Sequence, residues 1–433
     1  MRQTMSNLAQ VSVRRREILA WALFDFANSG YTTVVLTAIF NAYFVGVIAH
    51  EYASGTATLW WTVAIALANG IVLLTAPVLG AIADDRAWKK RFLMIAASGC
   101  VGFTVLLATA GSGDVGYAMG LVVLASVCFF TSENLIAAFL PEITTPDKMG
   151  RISAFGWTIG YLGGLLTLAF CLWVTLSAVA RGAEMSDAVP LTLLIVAAMF
   201  ILGSLPTFLW LRERAQPLQR NSINYGLIAY QRLKTTWQHA RLHRDLFQFL
   251  GALTIYTCGI NTVIVLAAVY AQETMGFTTE DNIRLILIVN ISAALGAFIF
   301  GHIQDRLGSL QTLSMTLVIW IGALLLAYFT HDRDTFWIVA NLVGIALGSS
   351  QSAGRAIIGI FAPPARAGEY FGLWGLATKL AAVIGPLCYG LITFVTQGDH
   401  RIALLVTTCF FVGGLLALIG IDERRGRIAA TQD

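Results

Sequence analysis

Apolar runs separated by short polar interruptions make up nearly the whole chain. Windows of about 20 mostly apolar residues, the length of a helix that crosses a bilayer, occur twelve times. The first six lie approximately over 18–49, 58–83, 92–111, 117–140, 152–178 and 188–211. A polar stretch over 212–245 follows, and then six more at 246–272, 283–303, 312–330, 336–361, 370–395 and 402–421. The pattern predicts an all-α polytopic membrane protein of twelve transmembrane helices. Its organisation would be an N-terminal six-helix half over 1–211, a cytoplasmic central linker over 212–245 and a C-terminal six-helix half over 246–433.

Composition agrees with this and narrows the function. Of 433 residues, 57% are hydrophobic and 12% charged, about half the charged share of an ordinary soluble domain. A net charge of +4 is too small to imply nucleic acid. With the amino terminus in the cytoplasm, about 22 of the 28 Lys and Arg fall on that side, and Arg181, Arg284, Arg333 and Arg401 fall opposite. Both termini are therefore expected in the cytoplasm, and the membrane is expected to be the cytoplasmic one. The first apolar run is too long for a signal peptide and is followed by many like it. The linker places Arg232, Lys234, Arg241 and Arg244 among Tyr230, Leu233, Trp237 and Leu242, which suits either a basic helix on the membrane surface or a solvated connection. The six cysteines form no CxxC pair and read as small core residues.

Four ionisable residues interrupt the apolar runs: Asp25 in the first, Glu133 in the fourth, Arg355 in the tenth and Lys379 in the eleventh. Each lies about 8 to 10 residues from its cytoplasmic border, roughly 12 to 15 Å deep at the rise of a helix. They occupy one layer. A lone charge at the bilayer centre costs about 2.5–3.5 kcal/mol, so two acids and two bases are expected to pair. Asn28 and Ser29 stand three and four residues after Asp25 and share its helix face. Asn69, Asn134, Asn261, Thr262, Asn290, Ser292, Asn341 and Gln351 extend the polar set. Membrane asparagines more often make interhelical hydrogen bonds than ligand contacts. For the charged layer the chemistry favours a substrate or ion pathway, with a structural salt bridge as the alternative. In the pathway reading, Asp25 or Glu133 exchanges a proton, while Arg355 and Lys379 hold a substrate carboxylate or release the acid in turn. Glycine stripes at Gly156, Gly160 and Gly164, and at Gly344, Gly348 and Ser352, are expected to let helices pack closely. Pro386 should mark a kink.

The two halves repeat. Gly80 and Asp84 recur as Gly301 and Asp305 at an offset of 221 residues, and Leu140-Pro141 is echoed by Ala362-Pro363. Asp84 or Asp85 with Arg86, and Asp305 with Arg306, stand at helix ends, where contacts to neighbouring helix termini favour one conformation. Gly301-His-Ile-Gln-Asp-Arg-Leu-Gly308 resembles the signature loop of the major facilitator superfamily. The copy at Gly80 departs from it, with an extra acid and with Trp88 where the second glycine would fall. Trp21 to Tyr31, Leu140-Pro141-Glu142 with Ser153 to Gly164, and Gly348 to Arg355 resemble a narrower branch, the autophagy-linked vacuolar amino-acid effluxers of fungi and their bacterial relatives. The resemblance implies that helices one, four, seven and ten line a central cavity with help from two, five, eight and eleven, and that the signature loops latch the inward side.

No P-loop, GxSxG or GxGxxG pattern is present, and His239 and His243 lack a third ligand nearby, so neither an enzyme, a metal nor a cofactor is expected. The expectation is an alternating-access transporter, acting as a monomer, for a small polar solute. The resemblance makes this proton-coupled amino-acid efflux. A facilitator for a sugar, peptide or drug-like solute, or a non-transporting receptor on the same fold, is the alternative.

Overall fold

An apolar chain in a bilayer must satisfy its backbone within each segment, so the apolar runs become helices. The computed structural model describes residues 13–52, 54–182, 185–215, 217 and 243–432. Its spans are α1 (Arg15–Tyr31), α2 (Ser54–Arg86), α3 (Lys89–Leu107), α4 (Val115–Ala137), α5 (Met149–Val179) and α6 (Val189–Trp210) in the first half. The second half holds α7 (Arg244–Met275), α8 (Thr279–Leu307), α9 (Ser309–Phe329), α10 (Arg333–Phe361), α11 (Ala367–Val395) and α12 (His400–Ala417). A short helix, α13 (Glu423–Gln432), follows. With 12 spans, both described ends lie on one face, here termed the terminal face. Of the linker residues expected to form a basic surface helix, all but Arg244 lie outside the described residues, as does His239; Arg244 instead opens the spanning helix α7.

One feature departs from the expected regular spans. α1 continues to Ile48 through π-helical turns at Thr32–Ala38 and Phe44–Ile48, with a short α-helical turn at Phe40–Tyr43 between them. Pro386 lies inside a continuous α11, and Pro77 inside α2. Cysteines also divide: Cys100, Cys171 and Cys258 are buried, Cys128 and Cys388 half-buried, and Cys409 exposed, so the core assignment holds only for the first three.

Glycine decides which helices meet closely. In α5, a Cβ at Gly160 would press on Ser29 and one at Gly164 on the Thr33 hydroxyl, so the stripe seats α5 against α1, and the adjoining Gly163 lies against the backbone of Phe26. In α10, Gly344 and Gly348 seat against Val289, Ser292 and Ala293 of α8. The halves meet along α2 with α11 and along α5 with α8 and α10. These two seams are related by the repeat.

The repeat also corrects the register of the first signature loop. Gly308, between α8 and α9, has φ +94°, and its equivalent at the same 221-residue offset is Ala87, with φ +54°. Asp84, not Asp85, therefore corresponds to Asp305, and Ala87 rather than Trp88 stands at the second glycine. An L-residue in the left-handed region costs about 1–2 kcal/mol, and a glycine gives back part of that gain as unfolded-state entropy. Ala87→Gly is expected to stabilise the protein by about 0.5–1 kcal/mol, readable as a raised thermal midpoint in detergent.

Candidate functional site

The four buried charges form two pairs, each joining the halves. Both acids belong to the first half and both bases to the second. Asp25 reaches α10, where Arg355 Nη1 donates to its Oδ2 at 2.7 Å. Arg355 Nη2 donates to the Ser153 carbonyl at 2.8 Å, and Nε donates to Ser153 Oγ at 3.2 Å. Ser153 Oγ in turn donates to the Ser352 carbonyl at 2.8 Å. The guanidinium also lies over the Trp21 ring, 4.7 Å from its centroid, and 5.3 Å from that of Trp157. A planar fork with five donors suits this setting better than an ammonium would. Gly156 makes the space: a Cβ there would strike Asp25 Oδ2, Arg355 Nη2 and Trp21.

The second pair is looser. Lys379 Nζ on α11 lies 3.8 Å from Glu133 Oε2 on α4 and 3.3 Å from the centroid of the Phe130 ring. Beside it, the Asn134 amide is buried against Gly375 of α11, with neither its nitrogen nor its oxygen hydrogen-bonded.

The remaining expected site residues divide. Asn28 accepts from Ser132 Oγ at 3.3 Å, linking α1 to α4, and Trp21 Nε1 donates to the Ile136 carbonyl at 2.8 Å in the same seam. Ser29 faces Gly160 across the α1–α5 contact. Gln351 is half-buried one turn before Arg355. Asn261 is not brought into the charge layer by any traced contact: its Nδ2 donates to the Thr257 carbonyl of its own helix at 3.1 Å. An apolar cavity lined by Leu266, Tyr270, Val289, Phe336, Tyr389 and other residues of the second half includes none of the four charges.

Toward the terminal face the signature loops close the two seams by a shared device, an acid at one helix end accepting from the amides that open another. Asp84 accepts from Gly368 N at 2.9 Å and Glu369 N at 2.8 Å, at the start of α11. Asp305 accepts from Arg151 N at 3.1 Å, at the start of α5, and Arg151 Nε lies 3.6 Å from its second oxygen. Backbone approach is close at both: a Cβ on Gly80 would enter the Gly368 carbonyl, and one on Gly301 would enter Ala154. Asp85 is fully buried with Arg86 3.8 Å away, while Arg306 is exposed. Lys89 opens α3 beside the first signature loop, a place where a cation would ordinarily reach solvent. Instead it is fully buried, 3.6 Å from Asp84 and in contact with Glu142. Its place at a helix start beside two acids was the only signal of this. The hydrogen bonds and ion pairs traced between the halves are concentrated in the charge layer and toward the terminal face.

Two six-helix halves meeting over a layer of buried charges define a transporter of the major facilitator superfamily, not an enzyme. The family model described as "Vacuole effluxer Atg22 like" matches residues 13–431, and the chain belongs to that family. It is similar to the MFS-type transporter YxiO of Bacillus subtilis, 28% identical and covering 93% of this chain and 94% of that protein. Autophagy-related protein 22 of Kluyveromyces lactis is 24% identical over 80% of this chain and 75% of that one. Among solved structures, the proton:xylose symporter XylE aligns with a TM-score of 0.72 at 16% identity, over 95% of this chain and 96% of that one. A bacterial homologue of the iron transporter ferroportin, in an outward-facing state, aligns with 0.69 at 14% identity, over 94% and 99%.

Proposed function

We propose that the protein exports amino acids, of neutral or branched kind, across the cytoplasmic membrane in exchange or symport with protons. One observation carries the reading: two acids of one half face two bases of the other across the interface that alternating access must open. A zwitterion presents both charges needed to replace such partners. Protonating Asp25 or Glu133 weakens its hold on the opposing base, so proton binding and separation of the halves favour each other. The effluxer description of the family and the autophagy-related relatives support export, and the Bacillus relative supports the cytoplasmic membrane. In this reading the terminal face is cytoplasmic, residues 212–245 link the halves 1–211 and 246–433 on that side, and the described conformation is sealed toward the cytoplasm. One copy contains both members of each charge pair, which supports a monomer as the working unit.

Uptake of a labelled amino-acid panel into proteoliposomes, with and without an imposed pH gradient, tests this. Accumulation that requires the gradient is expected. Equilibration that ignores the gradient removes the proton. Flux of a sugar, peptide or drug-like compound in place of amino acids removes the substrate assignment.

A further inference from the structure

We propose that the two charge pairs divide the work: Glu133 and Lys379 hold the charged head of an α-amino acid, while Asp25–Arg355 is an internal lock that no substrate enters. The proposal rests on the amino-acid reading above and assigns its site.

The pairs differ in how far their hydrogen-bonding capacity is spent. Arg355 is 4% exposed, makes three hydrogen bonds and lies against two indole rings. A ligand entering there would have to displace all of them. Lys379 carries three donors, is 9% exposed at its side chain, and among the described residues makes no traced hydrogen bond. Its 3.8 Å separation from Glu133 exceeds hydrogen-bond length. Glu133 keeps 31% of its side chain exposed although Lys379 of the other half stands opposite, so open space adjoins the pair. Asn134, the next residue, adds a buried donor and acceptor without partners. On the α11 side, Gly375 precedes Lys379 by one turn and leaves room for that amide. The buried Asn134 amide, and a Lys379 ammonium held only by the Phe130 ring and by a carboxylate beyond hydrogen-bond length, stand together within one turn of α4 and one of α11, where one polar ligand would complete both.

The spacing selects the ligand. Standard bond lengths place the nitrogen of an α-amino acid about 2.7 Å from its nearer carboxylate oxygen. Charge-assisted hydrogen bonds of about 2.8 Å, ammonium to Glu133 and carboxylate to Lys379, then close a ring of four alternating charges against a pair 3.8 Å apart. Neither helix has to move. An extended γ-amino acid holds its charges farther apart than the 3.8 Å pair, so it matches the pair only by folding back on itself or by splaying its two hydrogen bonds outward.

The test is binding to the purified full-length protein, followed by titration calorimetry. The probes are leucine, its analogue without the carboxylate (isoamylamine), its analogue without the amine (4-methylpentanoate), and γ-aminobutyrate. Wild-type protein is expected to bind leucine at least tenfold more tightly than the other three. Glu133→Gln should lose leucine by tenfold or more and turn its preference to 4-methylpentanoate, and Lys379→Met should turn to isoamylamine. The double variant, Glu133→Gln with Lys379→Met, strands no charge and serves where a single variant misfolds; monodisperse, it should bind none of the four. Leucine affinity kept by both single variants, or by the folded double variant, overturns the assignment while leaving amino-acid transport in place. Equal affinity for γ-aminobutyrate overturns the spacing argument. Absence of amino-acid binding in the wild type overturns both readings, and is seen before any variant is made.

Discussion

Arg355→Met is expected to destabilise the protein by about 3–5 kcal/mol, the usual consequence of removing one member of a buried ion pair. The loss arises because Asp25 stays in the bundle without its cation, and because α1, α5 and α10 lose their common tie. Transport should cease as well, since the tie joins the halves in the conformation described. Thermal unfolding in detergent reads the first effect and proteoliposome flux the second. Neutralising both partners, as Asp25→Asn with Arg355→Gln, should recover most of the stability, since no charge is stranded. Flux should not return. An Asp25→Asn protein with unchanged stability and unchanged flux would mean that the pair locks nothing.

Gly80→Val is expected to yield a folded protein that cannot close its terminal face. A Cβ at this position would enter the carbonyl of Gly368, backbone against backbone, and neither side can yield by rotating a side chain. The clash exists only when α2 meets α11, so the opposite conformation escapes it. Spin-label distances between the terminal ends of α2 and α11 should lengthen relative to the wild type, and transport should stop. Gly348→Val provides the contrast. Its Cβ would enter the carbonyl of Ala293, but α8 and α10 belong to one half, and rocking of the halves against each other would leave their contact in place. That variant should fail to fold rather than shift its conformation. A closed terminal face and normal flux in Gly80→Val would show that the seam tolerates a wider approach.

The fold was legible because an apolar run of about 20 residues has few alternatives to a spanning helix. The charge layer was legible for the same reason: Asp25, Glu133, Arg355 and Lys379 are charged residues deep inside runs that are otherwise mostly apolar. Their pairing scheme was not, because sequence gives depth along each helix but not the rotation of one helix against another. Asp84 illustrates the limit. Its partners are the amides of Gly368 and Glu369, nearly 300 residues away, and backbone amides leave no mark in a sequence. The choice between Asp84 and Asp85 was settled instead by a backbone angle, that of Ala87. The π-helical turns of α1 were hidden because a segment apolar on most sides gives no phase from which a change of helical period can be read.

That both acids lie in the half made first, and both bases in the half made second, bears on biosynthesis. When the ribosome has delivered only the amino-terminal bundle, Asp25 and Glu133 sit in a membrane that holds no counter-ion for either of them. At about 2.5–3.5 kcal/mol per uncompensated charge, this intermediate is strained until α10 and α11 arrive. Truncation before residue 355 therefore leaves a product marked for degradation by its own charges, and the two bundles should mature only when supplied together, even as separate polypeptides.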